Sequence, residues 1–292
     1  MSTLPQSFKV YSFAHHTEVY QILERVFASH GVSYYLIGAN ARDVALYKAG
    51  AKPSRATADI DFAVMVPDRA SFEVLKTALK QQGFEDTKGL MPYRLFHMKS
   101  QTVIDLLPYG QIAQDYTVSF TERQVALSTV GMTEVASATE VFEHPEGFSI
   151  PVSPSHGLVI LKLIAWSEKP SRTKDLGDIA ALLDAAWPLY EPELFVEDSA
   201  HADLFDAEDF DTSTAAAQVM GRKMQEVLRL NDALRTDILS MFEVELKRET
   251  GPISIAIATT MDRDIAFAQR ILKAIKKGIT ENDVWHKKTI EK

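Results

Sequence analysis

The sequence predicts an α+β fold in two parts. A mixed sheet flanked by helices is expected over residues 1–152, and a helical domain that closes a cleft over residues 153–292. Up to about residue 150, short apolar runs bounded by Gly and Pro alternate with stretches of helical periodicity. Beyond Pro154, long helical patterns dominate. A chain of 292 residues is one large domain or two ordinary ones, and 46% hydrophobic with 24% charged residues is the balance of a soluble globular protein.

The elements follow in order. "TEVYQILERVFASHG" has apolar residues at helical spacing and stops at Gly31. "VSYYLIG" is β-branched and aromatic and reads as a strand. "ARDVALYKAG" resumes the helical pattern, "AKPSRATA" is a polar loop, and "DIDFAVMV" is the second strand, ended by Pro67. "SFEVLKTALKQQG" is an amphipathic helix with Ser71 as its expected N-cap. "RLFHMK" and "TVIDLLPYG" form a hairpin through Ser100 and Gln101, and further strands fall at "QVALSTV" and "FSIPV". Helices are then expected at 173–186, 215–230, 231–249 and 262–277.

Several function classes are excluded or disfavoured. The chain has no cysteine, so disulfides and thiolate zinc sites are absent, as suits a reducing cytoplasm. No apolar run of about 18 residues suggests a membrane span, and the N-terminus lacks the pattern of a secretory signal. The formal net charge is -9, so nucleic-acid binding would need a local basic surface. The short basic stretches "KAIKK" and "WHKKTIEK" read as solvated charge, and so do the nine acids between 191 and 211.

Two carboxylates inside an apolar strand need a reason. Residues i and i+2 of a strand share a face, so Asp59 and Asp61 point together while Ile60 and Phe62 point the other way. Like charges this close repel unless a cation lies between them. Magnesium suits such a site, because it takes oxygen ligands from carboxylates and substrate phosphates. The plainer reading is a strand edge whose acids meet solvent or an arginine. Two neighbours favour the metal. Gly38, Ala39 and Asn40 make a small turn into a helix, where backbone N–H groups can approach a phosphate, and Asp105 puts a third acid in another apolar strand. Arg42 and Asp43 open that helix, where Arg42 can reach a phosphate and Asp43 can favour the helix dipole. His15, His16 and His97 lack metal spacing and read as structural.

Small turn, paired acids and a later single acid together resemble the nucleotidyltransferase superfamily of DNA polymerase beta type. The matching residues are Ile37, Gly38 and Ala39, then Asp59 and Asp61, then Asp105. Ala39 stands where the family has Gly or Ser, and the interval to Asp59 is longer than the family's, through "KAGAKPSRA". A second stretch, "FSIPVSPSHGLVILKLIAWSEKPSRTKDLGDIAALL", resembles the middle motif of AbiEii/AbiGii-type toxin nucleotidyltransferases. The resemblance covers roughly residues 30–185.

The resemblance implies a metal-dependent transfer of a nucleoside monophosphate from an NTP to an acceptor hydroxyl, within a bacterial toxin–antitoxin or phage-defence system. Asp59, Asp61 and Asp105 would hold Mg2+ or Mn2+. Gly38, Ala39, Asn40 and Arg42 would face the nucleotide, with Lys174, Asp175 and Asp178. Lys162 would carry phosphate charge. Lys162 lies in an apolar helix, where a lone ammonium must meet a phosphate or a carboxylate. A methionine in its place is expected to leave the fold intact. The expected partners are NTP, tRNA or another RNA as acceptor, and a cognate antitoxin, with no membrane. Two alternatives stand beside this reading. One keeps the enzyme but gives it a small-molecule acceptor such as an antibiotic hydroxyl. The other is a degenerate module that binds nucleotide or a protein partner.

Overall fold

The computed structural model describes residues 6–281, apart from Leu90 and Ala207. The lysines of "WHKKTIEK" lie outside the described residues. The chain divides into two compact units, one of Met1–Tyr47 and Lys52–Pro154 and one of Lys48–Ala51 and Ser155–Lys292.

The first unit is built on a mixed sheet. Two 3-10 turns, Gln6–Val10 and Ser12–His15, lead into helix α1, Thr17–Ser29. Strand β1 (Tyr34–Ile37) runs straight into α2 (Gly38–Lys48), and β2 (Asp59–Met65) follows the polar loop. Then come α3 (Arg69–Lys80), β3 (Phe84–Asp86), β4 (Arg94–His97) and β5 (Thr102–Tyr109). After β6 (Thr117–Phe120), β7 (Val125–Ser128) and α4 (Met132–Ala136), strands β8 (Glu140–His144) and β9 (Phe148–Val152) close the unit. Among the described residues seven strands form one sheet in the order β3-β4-β5-β2-β1-β9-β8, and β6 pairs with β7 apart from it.

The sheet is mixed because β2 pairs parallel to β5 and β1 parallel to β9, while the other neighbours are antiparallel. β4 and β5 form the hairpin that the sequence predicts. Ile60, Phe62, Ile104 and Leu106 are fully buried. The Phe62 ring meets the edges of Tyr20, Phe27 and Tyr34, which locks β2 against α1 and β1. Asp68, not Ser71, caps α3. Its carboxylate accepts the Ser71 N–H at 2.7 Å, so the helix begins earlier than its apolar pattern does.

The second unit is helical. It holds α5 (Ser155–Glu168), α6 (Thr173–Asp184), α7 (Ala186–Leu194), α8 (Thr212–Leu228), α9 (Asp232–Leu246), α10 (Pro252–Met261) and α11 (Ile265–Thr280). The stretch expected as one helix to residue 186 breaks at Ala185. Pro188 fits the first turn of a new helix, where a missing N–H costs nothing. Asp211, Asn231 and Asp264 cap α8, α9 and α11 through N–H groups three residues on. Helix α10, absent from the sequence expectation, is capped by the buried Glu245, which accepts the Ser254 N–H at 2.8 Å. Helices α8 and α11 cross closely at Gly221 and Gly278, where any side chain would strike the facing backbone. The acidic stretch carries rings as well as charge: Phe195 and Phe210 pack against Trp187, and Phe205 packs against both phenylalanines.

Some polar groups are buried in this unit. Arg222 is paired with Asp203 and Glu281 and bonded to His201. Burial pushes the His201 imidazole down to about 4, and the cation of Arg222 adds to the shift. Burial pushes His156 down to about 3, with Lys223 adding to it, and its Nδ1 has no hydrogen-bond partner among the described residues. A histidine held neutral when folded takes up its proton on unfolding. Its stabilising effect is therefore complete above about pH 6.5 and is lost as the pH falls toward the folded value. Urea melts between about pH 4.5 and 7 should show stability rising with pH. His156→Leu should flatten that dependence by up to about 1.4 kcal/mol per pH unit. An unchanged slope would show that His156 does not contribute.

Candidate active site

Four neighbouring strands bring one row of residues together. In the registers of the sheet, Arg94 faces Asp105, Asp105 faces Asp61, and Asp61 faces Ile37. Paired residues of neighbouring strands share a face, so Asp61 and Asp105 emerge side by side, with Asp59 two residues back on the same face. Carboxylate oxygens of Asp59, Asp61 and Asp105 lie within 4.8 Å of one another. Asp105 is buried, and Asp59 and Asp61 are partly exposed. All three donors are hard oxygens, the set that suits magnesium or manganese, and the spacing allows them to share a cation.

The glycine next to this row has two reasons to be glycine. Gly38 adopts φ +68°, a conformation that costs other residues about 1–2 kcal/mol. A β-carbon there would also overlap the Asp61 carboxylate. Gly38 thus clears the space that Asp61 occupies at the start of α2. The first-turn N–H groups of α2, from Gly38 and Ala39 onward, have no acceptor inside the helix.

Asp59 is braced from behind. The Thr57 hydroxyl donates to its Oδ1, the Thr57 N–H donates to Ser12 Oγ at 3.0 Å, and the Ser12 N–H donates to Asp43 Oδ2 at 2.9 Å. Asn40 and Arg42 serve the same frame. Asn40 is fully buried, donates to the Asp59 carbonyl at 2.7 Å and accepts from the Tyr20 hydroxyl. Arg42 is buried against Asp43, with Nε at 3.0 Å and Nη2 at 2.5 Å from Oδ1, and also donates to the Arg55 carbonyl. In this structure both side chains hold the fold around the carboxylates, where the sequence suggested contact with a nucleotide. Arg42 and Asp43 are both fully buried.

Arg94 was not singled out in the sequence. It grips both oxygens of Asp105, with Nε and Nη2 each at 2.7 Å, and its Nη2 lies 3.7 Å from Asp59 Oδ2. The bond to Asp105 raises its pKa further, so it is a fixed cation. Only its strand position beside "TVIDLL" could have pointed to it.

In the helical unit, Lys162 is buried and meets carboxylates. Its ammonium lies 2.7 Å from Asp178 Oδ2 and 3.2 Å from Asp175 Oδ1, and Arg172 Nε donates to Asp175 at 2.6 Å. Lys174 is exposed and stands outside this cluster.

A family model described as the nucleotidyl transferase AbiEii toxin of a type IV toxin–antitoxin system matches residues 21–254. The chain belongs to the AbiEii family. Matched residues run from within α1 to the first turn of α10, so the match takes in parts of both units and stops before α11. No curated protein matches this AbiEii chain. Membership supports nucleotidyltransferase activity and a toxin–antitoxin setting. Among the described residues no helix is long and apolar enough to cross a membrane.

Two outcomes follow from these contacts. Gly38→Ala keeps every carboxylate yet displaces Asp61, and a misplacement of about 1 Å in a catalytic group costs roughly a hundredfold in rate. Nucleotide incorporation should fall by about that factor while the melting curve shows a folded protein, and wild-type turnover would refute the role of the close approach. Lys162→Met leaves two buried acids short of their cation. The structure therefore replaces the expectation of an intact fold with a loss of about 3–5 kcal/mol of stability. Urea denaturation measures this, and a change below about 1 kcal/mol would show that Arg172 compensates.

Proposed function

We propose that this AbiEii-family chain transfers a nucleoside monophosphate from an NTP to the hydroxyl of an RNA acceptor, tRNA included. The acceptor hydroxyl gives up its proton to solvent as its oxygen bonds to the α-phosphorus, the bond to the pyrophosphate oxygen breaks, and pyrophosphate leaves. The observation that carries this reading is the convergence of Asp59, Asp61 and Asp105 beside Gly38. In the proposal, residues 1–152 hold the chemistry. Asp59, Asp61 and Asp105 bind the divalent cation, and the backbone of Gly38 and Ala39 at the start of α2 receives the triphosphate. Magnesium or manganese held there would supply positive charge to the acceptor and phosphate oxygens.

Residues 153–292 carry the narrower part of the proposal. Lys162, Lys174, Asp175 and Asp178 contribute charge to nucleotide handling, as the family resemblance implies. The setting is the cytoplasm, where NTPs and magnesium are present, with a cognate antitoxin as partner. The net charge of -9 favours one rival, a small-molecule acceptor, because an acidic chain repels RNA at long range.

Incubation with each labelled NTP, magnesium and total RNA separates the two. A labelled tRNA-sized band is expected, and it should vanish in Asp59→Asn/Asp61→Asn and with EDTA. Turnover of NTP without any labelled RNA would favour the small-molecule rival. Retention of full labelling in the double variant would overturn the assignment of the site.

A further inference from the structure

The three carboxylates are not alone in the sheet. Both oxygens of Asp105 carry a guanidinium bond at 2.7 Å, from Nε and Nη2 of Arg94, and Nη2 is 3.7 Å from Asp59. Arg94 therefore sits between two of the three acids, where a cation shared by them is wanted. The carboxylate side chain of Asp105 is 9% exposed and that of Arg94 34% exposed, so the acid is fixed and the arginine has room to move. β4 sets this contact directly, because Arg94 is the register partner of Asp105.

We propose that Arg94 is the resident counter-ion of the metal-free carboxylates, and that it exchanges with the divalent cation for Asp105. The proposal rests on the reading that Asp59, Asp61 and Asp105 bind metal. Without a cation, three carboxylates within 4.8 Å repel, and the arginine fork offsets that repulsion. Magnesium demands close, near-octahedral oxygen ligands. It competes for the same oxygens of Asp105 and repels a guanidinium held against them. An interaction that favours the metal-free state lowers apparent metal affinity by the factor by which it favours that state. Arg94 thus keeps the acids assembled before loading and sets the metal concentration at which loading occurs. A residue that merely positions Asp105 for the metal would have the opposite effect on affinity.

The test needs no turnover. Mn2+ binding to the full chain is measured by calorimetry, without nucleotide, for wild type, Arg94→Met, Arg94→Lys and Asp105→Asn. Melting temperatures are read with and without Mn2+. Arg94→Met should lower the metal-free melting temperature, tighten Mn2+ binding about tenfold or more, and enlarge the metal-induced rise in melting temperature. Arg94→Lys should fall between the two, since a lysine keeps the charge but not the fork. It also serves as the test if the methionine variant does not fold. Weaker or unchanged Mn2+ binding in the Arg94 variants, with binding intact in wild type, would overturn the exchange alone. Absence of binding in wild type and in both Arg94 variants would overturn the metal reading itself.

Discussion

The parallel pairing of β2 with β5 is the constraint on which the carboxylate cluster rests. It aligns Asp61 with Asp105, and the two-residue period of β2 adds Asp59 to the same face. A slip of one residue would turn Asp105 to the buried face, beside Ile60 and Phe62, and turn Ile104 and Leu106 out to the other. The apolar residues opposite prevent that slip. Ile60 and Phe62 fill the core on the other face, and Phe62 is fixed by three aromatic neighbours. Hydrophobic packing on one side of the sheet thus fixes electrostatic geometry on the other.

Charge is handled differently in the two units. In the sheet, Arg94 pairs with Asp105 and approaches Asp59, and Asp59 and Asp61 are partly exposed. Those partly exposed carboxylates are open to a cation. In the helical unit, Lys162 pairs with Asp175 and Asp178, all three buried, and the exposed Arg172 adds a bond to Asp175. These pairs hold α5 to α6. Arg222, with Asp203 and Glu281, ties α8 to the end of α11 in the same way.

Much of the sheet unit was legible in the sequence because its signals are local. The i, i+2 spacing of Asp59 and Asp61, the small residues at 38 and 39 and the apolar setting of Asp105 each follow from strand or turn chemistry. Non-local pairing was not legible. Nothing in "RLFHMK" says that Arg94 lies opposite Asp105, and nothing in "AKPSRATA" says that Thr57 reaches both Ser12 and Asp59. The burial of Lys162 was readable from its apolar helix, but its partners thirteen and sixteen residues on were not assigned to it. Asn40 and Arg42 looked available because polar residues at a helix start often are, whereas tertiary contacts enclose them. Helix α10 is not legible because "ISIAIA" alternates like a strand, while its start rests on Pro252 at the first helical position and on the distant Glu245, which accepts the Ser254 N–H.

The strand order also bears on how the chain comes to be active during its own synthesis. β1 lies between β2 and β9, and its partner β9 ends at Val152, more than a hundred residues after β1 begins. A ribosome-bound chain emerges from its N-terminus, and non-local parallel pairings form slowly. Asp59, Asp61 and Asp105 are all translated before β9 exists to complete the middle of the sheet. A nascent chain therefore carries every acid of the cluster well before its scaffold is closed. For a member of a toxin family, that order gives a period in translation when the ligands are made but the sheet that aims them is unfinished.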